Sequence, residues 1–480
     1  MEKKSVFYNF IMNSILTVSS FIFPLITFPY VSRILSPVGT GKVSFATSVV
    51  SYFLLIAQLG IPTYGIRSCA KVRDNKKELS KVVQEIFLIG IIMCIISYIL
   101  FFASIFFVPK FKEEHKLMLI MSTTILLTTL GTEWVYKALE MYTYITWRSI
   151  VFKVLALIAM FMLVKEENDY IIYGAISILA SSASFVFNFF YLFKLIDLKE
   201  KFQFELRKHM RPILVFFAMT CATTVYLNLD TVMLGFMTTD ADVGYYNAAV
   251  KIKNILVSIV TSLGAVLLPR VTYYLQKGEN KEFISLSTKA IRFVMFVAFP
   301  MFVYFSIFAR PGILLLSGIE YEKAILPMRI MMPTLLFIGL TNIMGIQILV
   351  PKGREDKVLI SVVVGAIVDL ILNMLLIPRY ASTGAAIGTM VAEAVVFIVQ
   401  YYIDRDLFRE LFQAINPYKF ILAAGLGVIS SGWILKMNYN NFMALFVGAV
   451  CFGMAYIIGL FIMKEDFLKE IVQILMKKKS

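Results

Sequence analysis

In the stretch VYLNLDTVMLGF, residues 225–236, Asp230 is a carboxylate inside an apolar run. A charge at the centre of a lipid-facing helix costs roughly 3 kcal/mol, so Asp230 must face protein, water or a counter-ion. A cation stands one connection further on: Asn247, Lys251, Asn254, Ser258 and Thr261 recur three or four residues apart and share a helix face, while Lys253 lies off it. If residues 212–237 and 244–268 are antiparallel neighbours, Asp230 and Lys251 lie at the same depth and within reach of each other. Similar polar stripes run through Asn9, Asn13, Thr17, Ser20, Pro24 and Thr27, and through Ser44, Ser48, Ser51 and Gln58. Amide, hydroxyl and ammonium groups on one face of a membrane helix suit a hydrophilic cavity that binds a polar solute.

The other charges inside spans or at their edges are Arg33, Lys42, Arg67, Glu133, Lys137, Glu140, Arg148, Lys153, Arg270, Arg329, Asp369 and Glu393. Arg33, Lys42, Arg67 and Arg270 stand at span ends, where snorkelling anchors are common. Lys153, Lys251, Asp369 and Glu393 lie deeper. The excess of cations in this set suits an anionic substrate.

The elements that position these residues follow from composition. A chain with 59% hydrophobic and 16% charged residues and a mean hydropathy of +0.80 is an all-α integral membrane protein. Runs of about 20 apolar residues give fourteen expected transmembrane helices. Six lie at residues 11–32, 43–66, 82–108, 117–136, 149–164 and 170–193, and six more at 212–237, 244–268, 293–309, 325–350, 358–377 and 385–403. A last pair lies at 420–435 and 442–463. Residues 464–480 place Phe467, Leu468, Ile471, Ile474 and Leu475 at helical spacing ahead of Lys477–Lys479, the pattern of an amphipathic helix on the inner leaflet. Of the 46 Lys and Arg residues, 32 fall on the side of the termini and 10 on the other, which makes both termini cytoplasmic. The net charge of +15 then reflects topology and anionic lipid, and no nucleic-acid patch is implied.

An internal repeat organises the spans. Laying GKVSFATSVVSYF on GYYNAAVKIKNIL matches Gly41 with Gly244 at an offset of 203 residues, and Ser44, Ser48, Ser51 and Gln58 then fall on Asn247, Lys251, Asn254 and Thr261. Two pseudo-symmetric six-helix lobes, 1–208 and 209–410, with a C-terminal helix pair and tail over 411–480, are the expected domains. Parallel repeats of this kind are a transporter architecture.

Enzyme signals fail. Asp240 and Asp242 lie on the outer face, Asp404 and Asp406 open a charged cytoplasmic loop, and SPVGTGKV lacks the first glycine and the Ser/Thr of a phosphate loop. The four cysteines and two histidines have no metal-ligand or disulfide spacing, so no metal, cofactor or catalytic residue is expected.

The segment FPYVSRILSPVGTGKVSFATSVVSYFLLIAQLGIPTYGIRSCAKVRDN at 28–75 resembles the opening hairpin of the Wzx-type polysaccharide repeat-unit flippases, members of the multidrug/oligosaccharidyl-lipid/polysaccharide exporter superfamily. TEWVYKALEMYTYITWRSIVFKVLAL at 132–157 is a more specific match, and LNLDTVMLG, VGYYNAAVKI and NMLLIPRYASTGAAIGTMVAE extend it to about residue 400. The resemblance implies a bacterial inner-membrane flippase for undecaprenyl-pyrophosphate-linked oligosaccharides. It would work by alternating access in O-antigen, capsule or exopolysaccharide synthesis, beside a polysaccharide polymerase and a chain-length regulator. It also implies a cationic lumen, for which Arg33, Lys137, Arg148, Lys153, Lys251 and Arg270 with Asn247 and Asn254 are the substrate-binding candidates. Asp230, Glu140, Asp369 and Glu393 are the candidates for charge pairing or for coupling to an H+ or Na+ gradient. Alternatives are a lipid II flippase, a multidrug or cation antiporter of the same superfamily and, from another class, a membrane polysaccharide polymerase.

Overall fold

The computed structural model describes residues 6–197 and 204–469, and all regular elements among them are helices. That is the outcome the composition demands, because backbone groups in hydrocarbon must find partners within their own helix or a closed barrel. The chain divides into two compact units, Met1–Gly244 and Tyr245–Ser480.

The first unit contains α1 (Val6–Gln58), α2 (Ile61–Val72), α3 (Lys76–Phe107), α4 (Pro109–Glu113), α5 (His115–Gly131), α6 (Glu133–Ala138) and α7 (Tyr142–Leu163). Then come α8 (Tyr170–Ile178), joined by a π turn to α9 (Phe185–Leu195), α10 (Leu206–Met237) and the first residues of α11 (Asp240–Lys277). The second holds the rest of α11, then α12 (Asn280–Ile307), α13 (Ala309–Ser317), α14 (Ile325–Met331) and α15 (Thr334–Thr341). A π-helical stretch, Asn342–Leu349, leads on to α16 (Glu355–Ile403), α17 (Arg405–Gln413), α18 (Pro417–Ser431) and α19 (Asn441–Ile462). Among the described residues nine helices are long and apolar enough to cross a bilayer, or eleven when two bent pairs are each taken as one span.

Two helices are too long for one crossing. At 1.5 Å per residue α1 would reach ~80 Å, against a hydrocarbon core of ~30 Å, and it is broken at Ser36 (φ 57°, ψ 176°). Pro37 supplies the local cause: a residue before proline is driven out of the α region, and proline then starts a new helix without losing a needed N–H. Helix α16, 49 residues long, is broken at Ala381 (φ 46°, ψ −127°), which no proline directly follows. The expected span 117–136 is also interrupted, since α5 stops at Gly131 and Thr132 adopts φ 40°, ψ 40° before α6. Residues 470–480 of the expected amphipathic tail lie outside the described residues; ahead of them Phe467 packs on Phe293 and Phe296 of α12.

At the α10–α11 turn the backbone itself is the contact surface. A Cβ on Gly41 would stand inside the carbonyl group of Asp240, and one on Gly244 inside that of Pro37. The offset that lays Gly41 on Gly244 also lays Pro37 on Asp240. The two contacts therefore exchange under the sequence repeat, as a local two-fold relation between the repeated segments would require.

The expected span 43–66 ends early, at Gln58, because Leu59 (φ 41°) and Gly60 (φ 76°) turn the chain into the separate helix α2. Gly60 also lies against α10, where an added Cβ would be 2.5 Å from the amide nitrogen of Phe217 and 2.8 Å from the carbonyl oxygen of Ile213. Gly278 has a similar φ of 71° but nothing within 4 Å of the same position. Gly278→Ala should therefore cost only the left-handed backbone penalty, about 1 kcal/mol. Gly60→Ala adds a clash between two backbones and should cost at least twice that, about 2 kcal/mol or more. Thermal unfolding of the two variants in the same detergent checks the difference; equal midpoints would remove the close approach at Gly60.

Candidate functional site

Helix α7 brings two membrane cations to different partners. Thr146 donates to the carbonyl of Met12 at 2.9 Å, which seats α7 on the first half of α1. Lys153, about two turns further along, donates to Ser19 Oγ at 2.9 Å and Ser20 Oγ at 2.8 Å. Its ammonium is thus delivered to the polar side of α1, where Asn13, Thr17 and Ser20 are exposed. Both of its partners here are uncharged.

Arg148 sits near the start of the same helix in an aromatic box. Its guanidinium lies 5.7 Å from the ring centre of Tyr144 and 5.1 Å from that of Phe185, and its side chain is 6% exposed. Glu133 is 3.5 Å from Arg148 Nη2 and 2.7 Å from Lys137 Nζ, the second contact being an i,i+4 pair on α6. Nε and Nη1 of Arg148 have no hydrogen-bond partner among the described residues. Tyr144 also joins a stack with Tyr136 and Tyr191, at centroid distances of 5.4 Å and 5.2 Å. A buried guanidinium with unspent N–H donors is a ready anion site, since charge-assisted bonds to phosphate or carboxylate oxygens are about twice as strong as neutral ones.

Asp230 is buried at 5% exposure, on the α10 face that also carries Thr231 and Leu234. On α11 the stripe is the accessible side: Asn247, Lys251, Ser258 and Thr261 are half-buried and Asn254 is exposed, while Lys253 is buried. Within the second unit, α16 supplies a buried acidic patch. Asp369 and Asn373 turn carboxylate and amide oxygens onto Gly388, at 2.9 Å and 2.5 Å from the position a Cβ would take, and Glu393 is buried further along the same helix. Thr389 shares a 3.0 Å hydrogen bond with Tyr246.

Other expected members are placed apart from these clusters. Arg33 is exposed and donates to the carbonyl of Pro29 on its own helix, as an anchor would. Arg270 is exposed. Glu140, 46% exposed, pairs with Arg73 at 2.6 Å just past the C-terminal ends of α6 and α2.

The sequence reading passed over a cluster built on His209. Glu85 of α3 is fully buried, with its Oε2 2.7 Å from His209 Nε2 and 3.0 Å from Lys208 Nζ. Its Oε1 accepts the backbone N–H of Glu205, the N-cap residue of α10, at 2.9 Å. The other ring nitrogen of His209 is 2.6 Å from the hydroxyl of Tyr64 on α2. A motif search cannot find this set, because 124 residues separate Glu85 from His209. The available signal is a lone acid, Glu85, in the apolar run VVQEIFLIGII.

Comparison with known proteins identifies the family and the fold. The chain is 23% identical over 368 residues to a protein of Escherichia coli (strain K12) named as an O-antigen transporter, a match covering 75% of this chain and 88% of that one. A protein of Shigella dysenteriae with the same name is 23% identical over 391 residues, covering 80% and 94%. Among solved structures, the lipid II flippase MurJ in an inward closed conformation superposes with a TM-score of 0.74 at 16% identity, over 95% of this chain and all of that one. A multidrug resistance MATE family transporter of the MOP superfamily gives 0.66 at 12% identity over 85% of this chain and all of that one. The fold is therefore that of the flippases and MATE transporters, and the chain is a multi-pass membrane protein. The polysaccharide biosynthesis protein profile matches residues 6–275, more than half of the sequence, and the chain belongs to that family.

Proposed function

We propose that this protein flips undecaprenyl-pyrophosphate-linked oligosaccharide repeat units from the cytoplasmic to the outer leaflet of a bacterial inner membrane, for O-antigen, capsule or exopolysaccharide synthesis. Fourteen crossings follow if α1 and α16 each cross twice, on either side of Ser36 and Ala381, and α5 crosses once. The observation that carries the reading is Lys153: a membrane-embedded ammonium delivered to an exposed polar helix face and held there by two hydroxyls. Such a cation suits a mobile anion, since placing it in a bilayer is costly unless it does work. The pyrophosphate engages Lys153 and the unspent N–H groups of Arg148 in the first unit; Lys251 on α11 is a cation candidate of the second. The sugars meet the Asn, Thr and Ser groups of the stripes, and the polyprenyl tail stays in lipid. Asp230, Asp369 and Glu393, all buried, are the acids through which an H+ or Na+ gradient would act.

The charge assignment makes a direct prediction. In cells lacking the native copy, Lys153→Gln and Lys251→Gln should each lower surface polysaccharide at least about tenfold at normal protein levels, the loss expected of one charge-assisted contact worth ~1.4 kcal/mol or more. Lys357→Gln, on a half-exposed surface side chain, should stay within about twofold. Export at wild-type level in the Lys153 variant would reject the anion role.

The topology is tested separately. Both termini and the loops at 67–81, 194–211 and 269–292 are assigned to the cytoplasm from the charge asymmetry. In a background without native cysteines, an impermeant thiol reagent added to intact cells should label Glu167→Cys and miss Asn75→Cys. Labelling of position 75 alone would invert the orientation.

A further inference from the structure

The cluster on Glu85 joins three helices and contains a side chain able to change charge. Neutral His209 must present its N–H at Nε2 to the carboxylate of Glu85, which leaves Nδ1 as an acceptor for the Tyr64 hydroxyl. When a proton is added at Nδ1, the ring becomes a donor at both nitrogens and the hydroxyl of Tyr64 turns to accept. No partner is lost in either state. What changes is strength: the neutral ring already donates to a charged carboxylate, and a proton turns that contact into an ion pair at 2.7 Å, adding Coulomb attraction to the hydrogen bond. Histidine is also the side chain whose ordinary pKa lies in the physiological range.

The groups facing His209 come from every helix packed there. Helix α2 contributes Tyr64; α3 contributes Glu85 and Lys81, whose Nζ is 4.0 Å from Glu85 Oε1; α10 contributes Lys208 and Glu205. Helix α6 turns the uncharged ring of Trp134 toward Gly65 of α2. Two lysines and two glutamates balance, so the proton on His209 sets the net charge of the cluster. Lys208, with its side chain 42% exposed, can swing into water and leave Glu85 to the imidazolium.

We propose that Tyr64, His209 and Glu85 form a proton-binding site that latches the start of α10 to α2 and α3, more tightly with His209 charged than with it neutral. Glu85 is well placed for this, because it also takes one of the backbone N–H groups that the beginning of a helix leaves without an intrahelical partner. Helix α10 leads through the turn at 238–239 into α11 and hence into the second unit. Proton occupancy thereby controls how readily the first turns of α10 come away. The inference does not depend on the cargo.

Hydrogen–deuterium exchange on the full-length protein in lipid nanodiscs, without cargo, tests it. After correction for the intrinsic rate at each pH, amides of residues 206–217 should exchange at least about tenfold more slowly at pH 5.5 than at pH 8.5. His209→Gln keeps a donor for Glu85 but takes no proton, and should shrink the difference below about twofold. His115→Gln, at the other of the two histidines, should keep it in full. Tyr64→Phe removes the partner of Nδ1 in both states, and because a buried imidazolium N–H left without an acceptor costs more than a neutral ring nitrogen left without a donor, it should also shrink the difference. Wild-type exchange indifferent to pH would overturn the latch, whether or not the His209 variant folds. So would an undiminished difference in His209→Gln or in Tyr64→Phe.

Discussion

Helix α10 is fixed to the first unit by its two ends, and the placement of the polar face between them depends on that. At its start the fixing is by charge: a fully buried carboxylate on α3 receives a backbone N–H, an imidazole and an ammonium from α10. Stripping a buried carboxylate of all its cations costs about 3–5 kcal/mol, because an uncompensated charge remains. At its far end the fixing is by backbone. Lys110 of α4 donates to the carbonyl of Gly235 and pairs with Asp240 at 2.9 Å, while Gly41 and Gly244 let two chains touch without side chains between them. Between these ends Met219, Thr220, Thr223 and Leu227 are exposed. A helix held at both ends can present its middle to something other than protein.

The same division of labour explains where the chain bends. Within hydrocarbon a break in a helix leaves N–H and C=O groups that only protein or trapped water can satisfy. Ser36 lies where α1 must end a first crossing and begin a second; its hydroxyl donates to Glu167, ahead of α8, and the carbonyl of Ser36 accepts from Thr40 at 3.1 Å. Next to it Lys42 pairs with Glu114 and covers the ring of Tyr170, whose hydroxyl donates to the same glutamate at 2.9 Å. Charged and hydroxyl side chains are thus concentrated at the chain reversals, and the helix interiors are left to apolar packing and a few functional groups.

How much of this could be read in the sequence follows the range of each interaction. The apolar runs and the polar stripe on α11 depend on spacings of a few residues, and they were legible; the Glu133–Lys137 pair has such a spacing too but was not read. The break at Ser36 was half legible, since Pro37 announces it but its left-handed geometry does not show in composition. The interruption at Thr132 left no such mark, because a threonine with positive φ is chosen by tertiary packing against local preference. The partners of Lys153, 133 and 134 residues away, and the Glu85–His209 contact were not legible, because they require knowing which helices are neighbours. Depth in the apolar run marked Lys153 as unusual. The same criterion applied to Glu85 would have marked it too, but a single acid near the start of a span reads as a helix end.

The two cations of α7 show why partners decide more than position. Arg148 lies at a helix start among aromatic rings and near a carboxylate, so part of its charge is already compensated within the protein. Lys153 lies near the middle of α7, where compensation matters more, yet it receives only hydroxyl oxygens on α1. Hydroxyls solvate an ammonium without neutralising it. An anion arriving at Lys153 displaces two neutral contacts and gains a charge pair in a low-dielectric surrounding, where the Coulomb attraction is several times its value in water. An anion arriving at Arg148 competes with Glu133 and gains less for the same contact, although the unspent Nε and Nη1 groups give it somewhere to bind. On the proposed function, α7 would therefore offer the pyrophosphate a stronger contact at Lys153 and a weaker one at Arg148, some five residues apart.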